Sequence, residues 1–152
     1  MKHTTSQTHI LVCGTCKPEG FTGDDTERPG NLLARAISDA MQRSDSVAGD
    51  GSVAVKWVKC LSVCKRPCTA AISAPGKFTY VIGDLDPETD VTDLLDFARL
   101  YGESGDGVTP WRARPECVRK HTIARVPAPE MMTDLMRNVG EGDAATGGMD
   151  AD

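Results

Sequence analysis

The sequence predicts an α/β protein in which a four-stranded mixed sheet carries two helices. The order of elements along the chain is strand, helix, strand, then a β-hairpin, then a second helix. A strand–helix–strand crossover implies a parallel pair of strands, whereas a hairpin adds antiparallel ones. Hydrophobic residues make up 39% of the 152 residues. This share is enough for a sizeable core and excludes wholesale disorder.

The first half of the chain supplies the crossover. Residues 9–13 predict a short buried strand, and a loop rich in Gly, Pro, Thr and Asp follows it as far as Gly30. Apolar residues at helical spacing predict a helix over residues 31–43. A polar connection leads to residues 53–58, which alternate loosely and predict the second strand.

The hairpin and the second helix follow a segment rich in cysteine. Residues 70–74 and 78–82 predict two strands, and Pro75-Gly76-Lys77 between them is typical of a turn. Residues 90–101 predict a helix with Asp90 as its N-cap. Four strands with two helices packed on the sheet are the arrangement of a thioredoxin-like fold.

We expect this thioredoxin-like domain to occupy residues 9–104 and to carry the metal or redox site argued below. Residues 105–128 are expected to form a basic, less regular C-terminal extension that packs on it. Residues 129–152 are expected to form a short helix and a disordered acidic tail. Apolar residues line that helix at helical spacing: Met131, Met132, Leu135, Met136 and Val139.

Charge and hydropathy exclude several classes of function. The net charge of −5 and the pI near 5.2 argue against a protein that binds nucleic acid or anionic membranes. No apolar run approaches the roughly 20 residues of a bilayer span, and no secretory signal is recognisable. We therefore expect a cytoplasmic protein. In that reducing compartment, clustered cysteines more often bind metal or do redox chemistry than form structural disulfides.

Five of the six cysteines fall into two sets. Cys13 and Cys16 form a C-x2-C pair at the end of the first strand, and Cys60, Cys64 and Cys68 form C-x3-C-x3-C after the second. Because neighbouring parallel strands end at the same edge of a sheet, the two sets are expected to converge there. The sixth, Cys117, is expected to be a partly buried thiol.

The spacing leaves several kinds of site open. Structural zinc suits the first pair, although the x3 spacings do not suit a zinc knuckle. The spacing matches neither the [4Fe–4S] pattern nor the plant-type [2Fe–2S] pattern. Another possibility is a [2Fe–2S] cluster held by two cysteines from each set. The C-G-T-C-K sequence from Cys13 also indicates thiol–disulfide exchange. However, prolines and glycines separate this pair from the helix N-terminus that such chemistry uses.

Two resemblances bear on this choice. The segment 60–68 (CLSVCKRPC), followed by a strand and by residues 74–80 (APGKFTY), resembles the second half of the thioredoxin-like [2Fe–2S] ferredoxins. The stretch from His9 to about Pro127 also resembles an uncharacterised bacterial family of small, Cys-rich, predicted metal-binding proteins. Besides the cysteines, it is marked by GDLDP at 83–87, FARLY at 97–101 and IARVP at 123–127.

The ferredoxin resemblance implies a [2Fe–2S] cluster and a one-electron carrier. Cys13 matches by position and Cys60 and Cys64 by spacing, while Cys16 would be the fourth ligand and Cys68 an alternative one. The family resemblance adds a weak pointer to cobalt and cobalamin metabolism, so a zinc or cobalt protein of metal handling is the runner-up. No catalytic residue is predicted.

A carrier of this kind implies a redox partner protein, unidentified from the sequence, and a homodimer is left open. Four basic residues flank the predicted site, where they would partly offset the charge of the cluster or steer an acidic partner: Lys17, Lys59, Lys65 and Arg66. Backbone N–H groups of the loop around Gly14 and of the loop at residues 62–65 are expected to donate to the sulfurs. Asp84, Asp86 and Glu88 are expected to be turn and helix-start acids, not a cation loop.

Overall fold

The computed structural model describes residues 7–43, 51–131 and 139–140. These residues form strands and α-helices in the following order: β1 (Thr8–Cys13), α1 (Pro29–Arg43), β2 (Val53–Val58), β3 (Ala70–Ser73), β4 (Thr79–Ile82), α2 (Val91–Glu103), α3 (Glu116–His121) and β5 (Thr122–Val126). Short 3-10 turns at Asp25–Glu27 and Trp111–Ala113 precede α1 and α3.

The strands form one mixed sheet in the order β2-β1-β3-β4-β5. β1 and β2 are parallel, and the other neighbouring strands are antiparallel. The crossover and the hairpin are therefore as predicted, and the thioredoxin-like α/β fold class is confirmed. In the parallel register Cys13 lies opposite Val58, so the strands that precede the two cysteine sets end side by side.

The sheet has a fifth strand that the sequence analysis did not predict. β5 pairs with β4 and belongs to the segment expected to be a basic, less regular extension. It begins directly after α3, without turn residues, and lies at the edge of the sheet. Its polar Thr122 and Arg125 hide the alternation that reveals a half-buried strand. The prediction of four strands was one strand short for this reason.

The core lies between the sheet and the helices. α1 and α2 contact each other and both contact β1, so they cover the same face of the sheet. The centre of the core is an aromatic group in which Tyr80 meets Phe97 edge-on at 4.9 Å and Tyr101 at 6.1 Å between ring centroids. Aromatic pairs favour this geometry because the ring edge is positive and the face negative.

The ends of the helices differ slightly from the prediction. α1 begins at Pro29, two residues before the predicted start. Proline is tolerated there because the N–H groups of the first turn have no carbonyl acceptor within the helix, so the N–H that proline lacks is not missed. Asp90 occupies the N-cap position of α2, but its carboxylate accepts a hydrogen bond from the N–H of Asp86 instead of capping the helix. Gly76 has a φ of +72° at the hairpin turn, where the N–H of Lys77 donates to Ala74.

Part of the C-terminal prediction falls on residues that are not described. Met131 packs against the core and Val139 lies fully exposed in a turn, whereas the rest of the expected Met-lined helix, at 132–138, and the acidic tail from 141 onward lie outside the described residues. The proposed domain limits stay predictions. Over the described ranges, none of the helices is both long and apolar enough to cross a membrane.

Candidate metal centre

The two loops that carry the cysteines are bonded to each other at the end of the parallel strands. The N–H of Gly14 donates to the carbonyl of Val58 at 2.9 Å, which extends the ladder past β1. The hydroxyl of Thr15 donates to the carbonyl of Lys59 at 2.6 Å. The expected convergence of the two strand ends is therefore observed.

The first cysteine pair is compact and buried. The Sγ atoms of Cys13 and Cys16 lie 3.3 Å apart, and the two residues are only 1% and 2% exposed. Cys13 is the last residue of β1, where its N–H donates to the carbonyl of Thr69 at 3.0 Å. Cys16 lies in the loop three residues on. The pair thus sits at the C-terminal end of a buried central strand.

The second cysteine set lies on the neighbouring loop. Cys60 and Cys64 are exposed, whereas Cys68 is 1% exposed and belongs to the core. Ser62, at a φ of +58°, donates its N–H to the sulfur of Cys60 at 3.2 Å. The carbonyl of Lys59, at the start of this loop, accepts the hydrogen bond of Thr15, which joins the loop to the first pair.

The side chains are not gathered as a complete ligand set. Across the described residues, no three side chains of His, Cys, Asp or Glu are arranged to hold a metal ion. The structure brings Cys13 and Cys16 together, and it leaves Cys60 and Cys64 on the adjoining loop facing solvent. Of the predicted sulfur donors, the N–H of Ser62 is confirmed. In the loop around Gly14, the N–H of Gly14 itself continues the sheet ladder to Val58.

Electrostatics distinguishes the buried thiols. Burial disfavours a thiolate at Cys13, but hydrogen bonds from Leu61, Thr15 and Cys16 together hold the pKa of Cys13 below its usual value. Burial, together with the neighbouring sulfur of Cys13, raises the pKa of Cys16, and the charge of Cys64 adds to this effect. Cys64 therefore lies within electrostatic reach of the pair.

Cys68 and Cys117 are buried thiols of different surroundings. Burial raises the pKa of Cys68 to about 12, and the charges of Cys16 and Cys13 contribute, so Cys68 lies in the neighbourhood of the pair. Burial also raises the pKa of Cys117 to about 12, but there the nearby charges belong to acidic residues of and beside α2. Cys117 is therefore the buried thiol that the sequence predicted.

The start of α1 supports the first pair, which the sequence analysis missed. Gly30 is so close to β1 that a Cβ atom there would lie 1.8 Å from the carbonyl oxygen of Cys13. Arg28 donates from Nη1 to the carbonyl of Thr15 at 3.0 Å and so holds the loop between the two cysteines. The Pro29-Gly30 sequence is a signal for a close approach, but nothing in the sequence pairs Arg28 with Thr15.

The basic residues around the site have different roles. Lys17, Lys59 and Lys65 are exposed, and each is adjacent in sequence to a candidate ligand. Arg66 instead forms an ion pair with Asp84, with Nε and Oδ2 2.6 Å apart. Asp84 has a φ of +52° and donates its N–H to the carbonyl of Arg66, so it is a turn acid that fastens the cysteine loop to the end of β4.

Comparison with solved structures shows the same fold in iron–sulfur proteins. A thioredoxin-like [2Fe–2S] ferredoxin from Aquifex aeolicus aligns with a TM-score of 0.52 and 18% identity, over 82% of this chain and 97% of that one. A cysteine-to-serine variant of that ferredoxin aligns with a TM-score of 0.50 and 17% identity, over 77% of this chain and 98% of the other. At this identity the likeness concerns the fold.

Comparison with protein families and with curated proteins shows which family the chain belongs to. No curated protein matches the chain. The family model described as "Protein of unknown function (DUF1636)" matches residues 10–128, which cover both cysteine sets, α3 and β5. The predicted membership of an uncharacterised family related to the thioredoxin-like ferredoxins is thereby confirmed. The chain belongs to the DUF1636 family.

Proposed function

We propose that this protein holds a [2Fe–2S] cluster on Cys13, Cys16, Cys60 and Cys64 and carries one electron at a time. The observation that carries the proposal is the compact Cys13–Cys16 pair, which Thr15 joins to Lys59 at the start of the loop that bears Cys60 and Cys64. Four thiolates are the ligands that such clusters take in most proteins. A cluster of this kind supplies reversible one-electron transfer when it is bound.

The donor chemistry of the site supports a sulfur-bound centre. The backbone N–H of Ser62 already donates to the sulfur of Cys60 at 3.2 Å. Such hydrogen bonds stabilise thiolate ligands and tune the potential of the metal they hold. Because Cys60 and Cys64 lie on an exposed loop outside helices and strands, both side chains can turn toward the pair without disturbing the sheet.

Cys68 is the alternative fourth ligand. It is nearly fully buried and close enough to Cys13 and Cys16 for their charges to act on it. Using it would require the loop to move a core residue, whereas using Cys64 requires only an exposed side chain to move. The proposal therefore prefers Cys64 and keeps Cys68 in reserve.

The surroundings suit a redox partner with an acidic surface. Lys17, Lys59 and Lys65 are exposed beside the candidate ligands in a chain whose net charge is −5. A local basic patch on an acidic protein steers the approach of an oppositely charged partner toward that patch. The cytoplasm, where the thiols stay reduced, is the compartment that we propose for this chemistry.

The test is an anaerobic purification with a visible spectrum and metal and sulfide analysis of the same sample. We expect sulfide-to-iron charge-transfer bands with about two irons and about two acid-labile sulfides per chain. Cys→Ser changes at each candidate ligand should abolish or shift the bands, while Cys117→Ala should leave them unchanged. A colourless protein with about one zinc per chain would overturn the proposal in favour of metal handling.

A further inference from the structure

The Cys13–Cys16 pair has a second chemistry that does not require metal. The two Sγ atoms are 3.3 Å apart, and a disulfide bond needs about 2.05 Å. The sulfurs therefore have to close by only about 1.3 Å. We propose that Cys13 and Cys16 are a redox-modification site, which a small peroxide converts to a disulfide in the metal-free protein.

The backbone holds Cys13 in place and allows Cys16 to move toward it. Cys13 is fixed as the last residue of β1 by its N–H bond to Thr69 and by the close approach of Gly30. Cys16 lies in a loop without helix or strand, and the hydrogen bonds that tie this loop to its neighbours run through Gly14 and Thr15, not through Cys16. Cys16 can therefore move toward Cys13 without breaking the sheet.

The contact between the two sulfurs determines which cysteines react, and their burial limits the size of the oxidant. Of the described cysteines, only these two have a sulfur–sulfur contact within hydrogen-bond distance. They are also 1% and 2% exposed, so a bulky disulfide such as oxidised glutathione cannot align with either sulfur. Hydrogen peroxide is nearly as small as water, so it needs a far smaller opening than oxidised glutathione does.

The reaction balances with peroxide as the oxidant. Cys13, fixed at the end of β1, supplies the attacking sulfur, and Cys16, in the adjoining loop, is placed to resolve it. Attack breaks the O–O bond, leaves a sulfenic acid on Cys13 and releases one water. The sulfur of Cys16 then displaces the hydroxyl group, so that the S–S bond forms and a second water leaves. Two electrons pass from the two sulfurs to the peroxide.

The modification acts on the site of the proposed function, and its consequence for loading rests on that function. A disulfide removes two thiolates from the ligand set, so the oxidised protein cannot take up a sulfur-bound centre until it is reduced. The same two cysteines can therefore either bind metal or form the disulfide, but not both at once.

The chain is well suited to a direct test by peptide mapping. Trypsin does not cleave before proline, so neither Lys17 nor Arg28 is a site, and residues 3–35 form one peptide with both Cys13 and Cys16. Cys60 and Cys64 share the separate peptide 60–65. Reduced, metal-free protein is treated with equimolar hydrogen peroxide, unfolded and alkylated.

We expect the number of free thiols to fall from six to four, with the loss confined to peptide 3–35, and to return to six with dithiothreitol. Oxidised glutathione in place of peroxide should leave six. Cys117→Ala should lose two of its five thiols in the same peptide. In Cys16→Ser, dimedone should trap a sulfenic acid on Cys13. Loss of thiols in peptide 60–65, or oxidation of Cys13 to a sulfinic acid in the wild type, would overturn the proposal.

A second arm separates this inference from the proposed function. Reduced and peroxide-treated proteins are each offered Fe²⁺ and sulfide without oxygen. Loading of the reduced protein alone supports both proposals, and equal loading of both samples refutes the block on loading. If neither sample loads, the cluster proposal fails, while the thiol count still decides whether the disulfide forms.

Discussion

Gly30 and Cys13 approach each other so closely that a Cβ atom at position 30 would lie 1.8 Å from the carbonyl oxygen of Cys13. This contact joins the start of α1 to the end of β1 at the residue that begins the cysteine site. A glycine is required there for space, because no side chain can fit between the helix and the carbonyl group.

Gly30→Ala is therefore expected to destabilise the protein by more than about 2 kcal/mol, since helix or strand must shift to relieve the overlap. Urea unfolding of the metal-free protein measures this loss. Gly105→Ala is the matched control, because a Cβ atom there meets no atom within 4 Å. Its free energy of unfolding should change by less than about 0.5 kcal/mol. Equal effects at the two positions would contradict the steric argument.

The fold was largely predictable because its pattern is local. Hydrophobic periodicity located α1 and α2, and the Pro75–Lys77 turn located the hairpin, since each of these signals lies within a dozen residues. β5 could not be predicted in the same way. It is an edge strand of mixed polarity, so no local sequence pattern marks it. It is defined by its pairing with β4, which begins some 40 residues earlier in the chain.

The site was predictable at the level of its loops and not of its side chains. Cysteine spacing and the parallel crossover together predicted that the two loops meet. Whether a sulfur faces the core or the solvent depends on a few backbone angles, such as the positive φ of Ser62. The supports from Gly30 and Arg28 depend on tertiary contacts, for which the sequence offers at most the Pro29-Gly30 dipeptide.

Two substitutions of Asp84 distinguish the contribution of its backbone angle to stability from that of its ion pair. Asp84 has a φ of +52°, which asparagine adopts easily and alanine does not. Its ion pair with Arg66 is partly exposed on both sides and is therefore worth less than about 1 kcal/mol. Asp84→Asn should lose only that amount, and Asp84→Ala should lose about 1 kcal/mol more, as measured by urea unfolding. Equal losses would show that the backbone angle is not the cause.

Alkylation of the reduced, metal-free protein should follow exposure and ionisation. Cys60 and Cys64 are exposed, so iodoacetamide should modify them first at pH 7. Cys68 and Cys117 are buried, with pKa values raised to about 12. Because the thiolate is the reacting species, their modification should be at least about a thousandfold slower than that of an ordinary thiol. Peptide mass spectrometry over time measures the order. Early modification of Cys117 would contradict its placement in the core.

Tyr101 should make the stability fall at alkaline pH. It is fully buried, and its hydroxyl donates to the carbonyl of Phe78 at 2.6 Å. Burial raises the pKa of Tyr101 to about 12, whereas the phenol of the unfolded chain ionises near the ordinary value of 10.0. Between these two values the unfolded state loses the proton and the folded state keeps it. The stability that Tyr101 contributes is thus complete below pH 10 and is lost as the pH rises toward 12, by up to about 1.4 kcal/mol per pH unit.

Comparison with Tyr101→Phe isolates this effect, because lysines and thiols titrate alike in both proteins. At pH 8 the variant should be less stable by about 1 to 3 kcal/mol, since the carbonyl of Phe78 loses its buried donor. At pH 11 the difference should shrink by about 1 kcal/mol, because only the wild type has a phenol left to ionise on unfolding. Urea unfolding at the two pH values measures both numbers. A difference that stays constant between pH 8 and pH 11 would mean that the hydroxyl ionises equally in the folded and unfolded chains.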